Sequence, residues 1–145
     1  MYYEDVEIGK VYKSGVTKTI TGTEIDIIAQ ISGMDLPGFL SSDYAKSKGF
    51  SDRVTPGVYL IANMIGLMSK QGFLADVVAM MGIKDVTFMV PVYPGDRLSA
   101  ETEALGIKKS KLGGAVTYKW RLNNQDGKLV AEGVNTCIFL SKFPV

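Results

Sequence analysis

No histidine occurs anywhere in the 145 residues, and that absence removes more chemistry than any other feature. Ser–His and Cys–His nucleophile pairs are excluded, and an ordinary transition-metal site loses its commonest ligand. No metal site is therefore expected, and proton transfer must come from Asp, Glu, Tyr, Lys, Cys or water. Cysteine is nearly absent too. Cys137 stands alone, so no internal disulfide can form and a reducing, cytoplasmic setting is expected. Neither sign of charge is in excess: 16 basic residues face 15 acidic ones, a formal net charge of +1. That balance supplies no overall field for nucleic acid or an anionic membrane, and neither is an expected partner. Long apolar runs are missing as well. The longest, VYLIANMIGLM from Val58, is too short to cross a bilayer and is interrupted by Asn63. The opening MYYEDVEIGK is acidic and aromatic, unlike a secretory leader.

What is present is an ordinary globular composition, 46% apolar and 21% charged, in a length that suits one domain over residues 1–145. Lys10–Ile20 (KVYKSGVTKTI) is rich in β-branched residues and reads as a strand. TEIDIIAQISG reads as a helix capped by Thr23 with Asp26 three residues on, its apolar face formed by Ile27, Ile28 and Ile31 and its end marked by Gly33. Ser41 or Ser42 can cap a short second helix that stops at Gly49. PGVYLIANMIGLMSK opens on Pro56, a residue suited to a helix start, and is apolar nearly all round, which predicts burial on most sides.

After a connector, FLADVVAMMGIKD, strands follow. VTFMVPV ends in the turn YPGD, and DRLSAETEAL ends in the basic turn KKSKLGG. In AVTYKWRLN, Val116, Tyr118, Trp120 and Leu122 alternate with Thr117, Lys119, Arg121 and Asn123, a clean period of two. QDGK supplies an Asp-Gly turn into LVAEGVNTCIFL. Four consecutive strands on short turns imply an antiparallel sheet, and one sheet with one apolar helix implies that the sheet wraps the helix. The fold class is α+β.

TEIDIIAQISG, the loop SGMDLPGFLSSDYAKSKGF, DRVTPG before the apolar helix, FMVPVYPGDRL and NQDGKLVAEG appear in an order that resembles the MaoC-like hydratases and dehydratases. The resemblance covers nearly the whole chain. It implies the hotdog fold and a ligand that is an acyl thioester of coenzyme A or acyl carrier protein. It also implies no cofactor beyond the coenzyme carried by the substrate. In that family the loop reads Ser-Gly-Asp-x-Asn-Pro-x-His, with Asp and His catalytic. Here Ser32, Gly33 and Pro37 match, but Met34, Leu36 and Phe39 replace the Asp, Asn and His. Thr55, Pro56 and Gly57 match the small residue, His or Pro, and Gly that begin the buried helix. The resemblance implies that the Gly57 N–H faces the thioester carbonyl, and the positive end of the helix dipole suits an oxygen gaining charge.

Candidate residues follow from both readings. Asp35, one position past the family's Asp, is the candidate catalytic carboxylate, although one step along a helix turns a side chain by about 100°. Asp52 is a second carboxylate of this kind. Pro56, Gly57, Asn63, Met34 and Phe39 are candidate substrate contacts. Asn63 reads equally as a satisfied buried amide, and Tyr59 as core. Arg53, Lys108 and Lys109 are candidate phosphate contacts, with Lys46, Lys48 and Lys111 of the same chemistry. Cys137, without a histidine, reads as a packed side chain. Met34, Met64, Met68, Met80, Met81 and Met89 read as core, or as the lining of an acyl tunnel.

Three functions stay open. One is an acyl-thioester binding protein without ordinary hydratase activity. That protein is expected as a homodimer, and the second function is a non-catalytic subunit forming a heterodimer with a related, catalytic hotdog partner. The third is a thioesterase using one carboxylate.

Overall fold

Residues 1–143 are described by the structure, a computed structural model. A 3-10 turn at Tyr3–Asp5 is followed by strands β1 (Val11–Lys13) and β2 (Lys18–Thr19). Next come helices α1 (Gly22–Ser32), α2 (Pro37–Leu40), α3 (Ser42–Ser47) and α4 (Gly57–Gln71). Strands β3 (Val77–Phe88), β4 (Arg97–Lys109), β5 (Gly113–Asn123) and β6 (Leu129–Leu140) complete the chain. They form one antiparallel sheet in the order β1-β4-β5-β6-β3, with β2 also on β4. Helix α4 lies across β4 and β5, so the sheet curls around it. This is the hotdog arrangement.

The core is where the period-two pattern places it. Val116, Tyr118, Trp120 and Leu122 are fully buried and meet Met64 and Met68 from α4. Phe73, just past α4, joins Tyr118 and Phe139 edge-on, with ring centroids 5.4 Å apart in each pair. The buried polar groups of Trp120, Asn135 and Tyr118 in this layer are paired: the Trp120 indole N–H donates to Asn135 at 2.8 Å, and Asn135 donates to the Tyr118 hydroxyl. The buried Thr102 hydroxyl, by contrast, has no partner among the described residues. Cys137 is buried beside Tyr118, and burial pushes its thiol up.

Several local expectations are corrected. The stretch 10–20 is two strands, because the Ser14 hydroxyl accepts the Ala100 N–H at 3.1 Å and Gly15 turns the chain with φ +71°. The cap of α1 is Thr21, paired reciprocally with Glu24, and Thr23 lies inside the helix. The buried face of α1 is Ile25 and Ala29, while Ile27 and Ile31 point outward. The supposed connector after α4 is strand from Val77 onward, after a turn at 73–76, and only the first residues of VTFMVPV belong to β3. Nor is β3 joined to β4 as a neighbour; it pairs with β6, and 89–96 crosses the end of the sheet. Helix α4 is buried through Leu60, Ile61, Asn63, Met64, Leu67 and Met68, but Val58 and Ala62 form an open side. Of the methionines, Met64 and Met68 are core, Met34 is half-buried, and Met80, Met81 and Met89 are exposed.

Candidate ligand site at the start of the long helix

Pro56 cannot donate a backbone hydrogen bond, and its extended φ/ψ of −56° and 133° makes it the N-cap of α4. The segment before it is fastened twice: Thr55 N–H and the Thr55 hydroxyl both donate to the Val92 carbonyl, at 2.9 and 2.8 Å. Helix and crossover are thereby held together. Within the first turn, the N–H groups of Tyr59 and Leu60 donate to the Pro56 carbonyl. Those of Gly57 and Val58 have no acceptor among the described residues. Two amide donors at a positive helix end therefore remain unclaimed, and of the two residues Gly57 lines a cavity.

Gly57 lines a cavity of about 360 Å³ with Thr55, Leu60, Phe50, Val54, Phe88 and the crossover residues 89–92. Apart from the Thr55 hydroxyl, already engaged, the lining side chains are apolar, and none titrates. The cavity offers the Gly57 main-chain donor in greasy surroundings, a setting in which hydrogen bonds to an oxyanion are strong. Among the described residues, its lining contains no carboxyl, amine, phenol or thiol to take or give a proton.

The nearest titratable cluster on these elements serves another end. Partial burial works to raise the Glu24 carboxyl, but bonds from Lys18, Tyr59 and Thr21 outweigh it and hold the group at about 2. Lys18 Nζ reaches both carboxylate oxygens, at 2.6 and 2.8 Å, and the Tyr59 hydroxyl donates to one at 2.6 Å. Burial, and then Glu24, push Tyr59 up to about 12. Near neutrality neither group exchanges protons, so the cluster is a clasp between α1 and α4.

The candidates divide accordingly. Gly57 lines the cavity, and Pro56 is buried beside it. Asn63 is a buried amide donating to the Tyr59 carbonyl at 2.8 Å and is not in the lining. Met34 is half-buried, Phe39 packs against the core, and neither lines the cavity. Asp35 is exposed and also outside it. Asp52 is held below the usual carboxylate range by the Ser42 hydroxyl and then the Arg53 N–H, and it too is outside the lining. The Arg53 guanidinium is committed to Asp26 and to the Gly22 carbonyl.

Lys108 and Lys109 are at the other end of the sheet. Lys109 is level with Gly114, Phe139 and Val77, whereas Phe88 of the cavity is opposite Ala131. The span from Ala131 to Phe139 along β6 is about 26 Å. Within one chain these lysines are not brought to Gly57. Lys46 and Lys48 lie in and just after α3, exposed, a few residues before Phe50.

Sequence reasoning missed Phe50, Val54, Leu60, Phe88 and residues 90–92 as lining, whereas Met89, read as core or tunnel lining, is among the lining residues. Only the crossover position, which pairing of β3 with β6 determines, reveals them. It also missed Glu24, whose signal was present as the Thr21-x-x-Glu24 capping box.

With this geometry in hand, residues 5–124 match the family model described as "MaoC like domain". A Bacillus subtilis relative, "Uncharacterized protein YdeM", is 31% identical over 138 residues, covering 92% of this chain and 94% of its own. The chain belongs to the MaoC-like family. Among solved structures, the "Monoamine oxidase regulatory protein" of Archaeoglobus fulgius superposes with a TM-score of 0.85 at 28% identity, covering 99% of this MaoC-like chain and 96% of the other. The unliganded "R-Hydratase PhaJ1" of Pseudomonas aeruginosa gives 0.79 at 26% identity, covering 97% and 86%. Against the family's loop pattern, this MaoC-like chain keeps the glycine helix start and lacks the Asp and His.

Proposed function

We propose that this MaoC-like protein holds an acyl thioester, with the carbonyl oxygen against the free N–H of Gly57, and does not hydrate the acyl chain. The observation that carries the reading is the unclaimed main-chain donor of Gly57 in a cavity whose lining includes no titratable side chain. The R-hydratase among the similar structures supplies the reaction class that the family performs. That reaction needs a base for water and an acid for the α-carbon. Each positioned group is worth about 10²–10⁴-fold, or roughly 3–5 kcal/mol of barrier. With Met34 and Phe39 at the family's acid–base positions, the cradle survives without its chemistry. Thioester hydrolysis by Asp35 or Asp52 is the poorer reading, since neither lines the cavity.

A specific observation favours the subunit reading beside it. Strand β3 is a 12-residue sheet edge with Met80, Met81 and Ile83 exposed, and α4 leaves Val58 and Ala62 open. A second hotdog chain, identical or related, pairing along β3 would cover both.

The test is titration calorimetry with butyryl-CoA, crotonyl-CoA and coenzyme A alone, with free thiol followed in parallel. Saturable binding that requires the acyl group, with no thiol release, is expected. Equal binding of coenzyme A alone, or thiol release lost on Asp35→Asn, contradicts it.

A further inference from the structure

Gly57 has a neighbour that the family resemblance does not explain. A Cβ placed on Gly57 would lie 2.9, 3.0 and 3.1 Å from the Cζ, Cε2 and Cε1 atoms of Phe88. Ordinary carbon–carbon contacts are about 3.5–4.0 Å. The far edge of the ring therefore occupies the space that any side chain at position 57 would need. Both residues line the same cavity.

We propose that Phe88 is the selectivity residue of this site, standing in for a side chain on Gly57 and deciding which acyl groups reach the helix amides. The inference rests on the reading of the site as a thioester site. The backbone under the ring is fixed: Phe88 is paired opposite Ala131, and the next N–H, of Met89, donates to the Val130 carbonyl at 2.8 Å. Phe88 as a residue is 47% exposed and lines the cavity, so it is open to an incoming ligand. An oxygen bonded to the Gly57 N–H lies beside that ring. The α-carbon of the acyl group, two bonds from the oxygen, then passes along it. A straight chain slides past, whereas a methyl on the α-carbon meets the aromatic edge. A glycine at 57 is required by the ring as much as by the ligand.

The experiment is calorimetric binding of crotonyl-CoA and its 2-methyl analogue to four proteins: wild type, Gly57→Ala, Phe88→Ala and the double variant. One misplaced methyl in a tight pocket is worth roughly tenfold or more. Wild type is expected to prefer crotonyl-CoA by about that factor, and Phe88→Ala to bring the two ligands within about threefold. Gly57→Ala alone should lose about tenfold or more for both, because the displaced ring has to enter the cavity. The double variant should regain most of the crotonyl-CoA affinity, a coupling that two independent structural defects would not show. Thermal melts of all four report folding separately. Additive losses, or an undiminished preference in Phe88→Ala, overturn the inference while leaving the thioester site intact. Equal wild-type affinity for the two ligands does the same. A wild type that binds neither thioester overturns the site reading and this inference together.

Discussion

Glu24 shows how much one side chain can be asked to do when histidine is missing. It completes the cap of α1, takes Lys18 as an ion partner and receives the Tyr59 hydroxyl from the first turn of α4. Its carboxyl is held at about 2, below the ordinary 4.5. A depressed carboxyl contributes stability that is present above its unfolded value and lost as pH falls through the folded one. The protein should therefore weaken between about pH 4.5 and pH 2. The full shift would correspond to about 3.4 kcal/mol, and screening through the part-exposed Lys18 reduces this to about 2 kcal/mol. Chemical denaturation across that range, read by the single buried Trp120, is expected to show the decline, and Glu24→Gln should flatten it. An unchanged slope in the variant would remove Glu24 from the account. The sequence carried this signal in Thr21 and Glu24, but Thr23 and Asp26 offer the same spacing two residues later. Only backbone geometry separates them: Thr21 is extended, at φ −114° and ψ 152°, as an N-cap must be. Thr21→Ala should accordingly cost about 1 kcal/mol in the same assay, and Thr23→Ala much less.

At the scale of elements, the parts that were legible are those whose burial is settled within the chain. In β5 the inward residues are fully covered by α4, so alternation and exposure agree. In β3 they do not. Its pairing with β6 shifts register three times, and Asp85 takes a positive φ of 55° within one of the shifts. Each bulge resets the side-chain alternation, and an edge strand has no second neighbour to enforce it. That is why VVAMMGIKD reads as a connector in sequence. The same irregular strand carries the apolar edge on which the subunit reading depends, with Met81 64% exposed. Placing a charge there is a direct probe. The wild type is expected to sediment as a dimer and Met81→Lys/Ile83→Lys as a folded monomer. A wild-type monomer, or a variant that stays dimeric, would move the interface elsewhere.

Across the whole molecule, family and fold could be read from five short segments because the hotdog arrangement fixes their order in space. The site was only half legible. A helix start built on Gly57 depends on main-chain atoms, so Thr55-Pro56-Gly57 announces it. The walls come from a crossover and from Phe88, which reach Gly57 only through the pairing of β3 with β6. Met34 and Phe39 stand where the resemblance puts Asp and His, yet neither lines the cavity at the start of α4. The proposed receptor role rests on this combination: a main-chain donor at Gly57 in a cavity with no titratable lining side chain. The most direct test mixes the purified protein with crotonyl-CoA above its measured dissociation constant and follows the enoyl absorbance. The account predicts a bound enoyl thioester whose absorbance persists, whereas turnover of about 1 s⁻¹ or faster, the range of working enzymes, would contradict it.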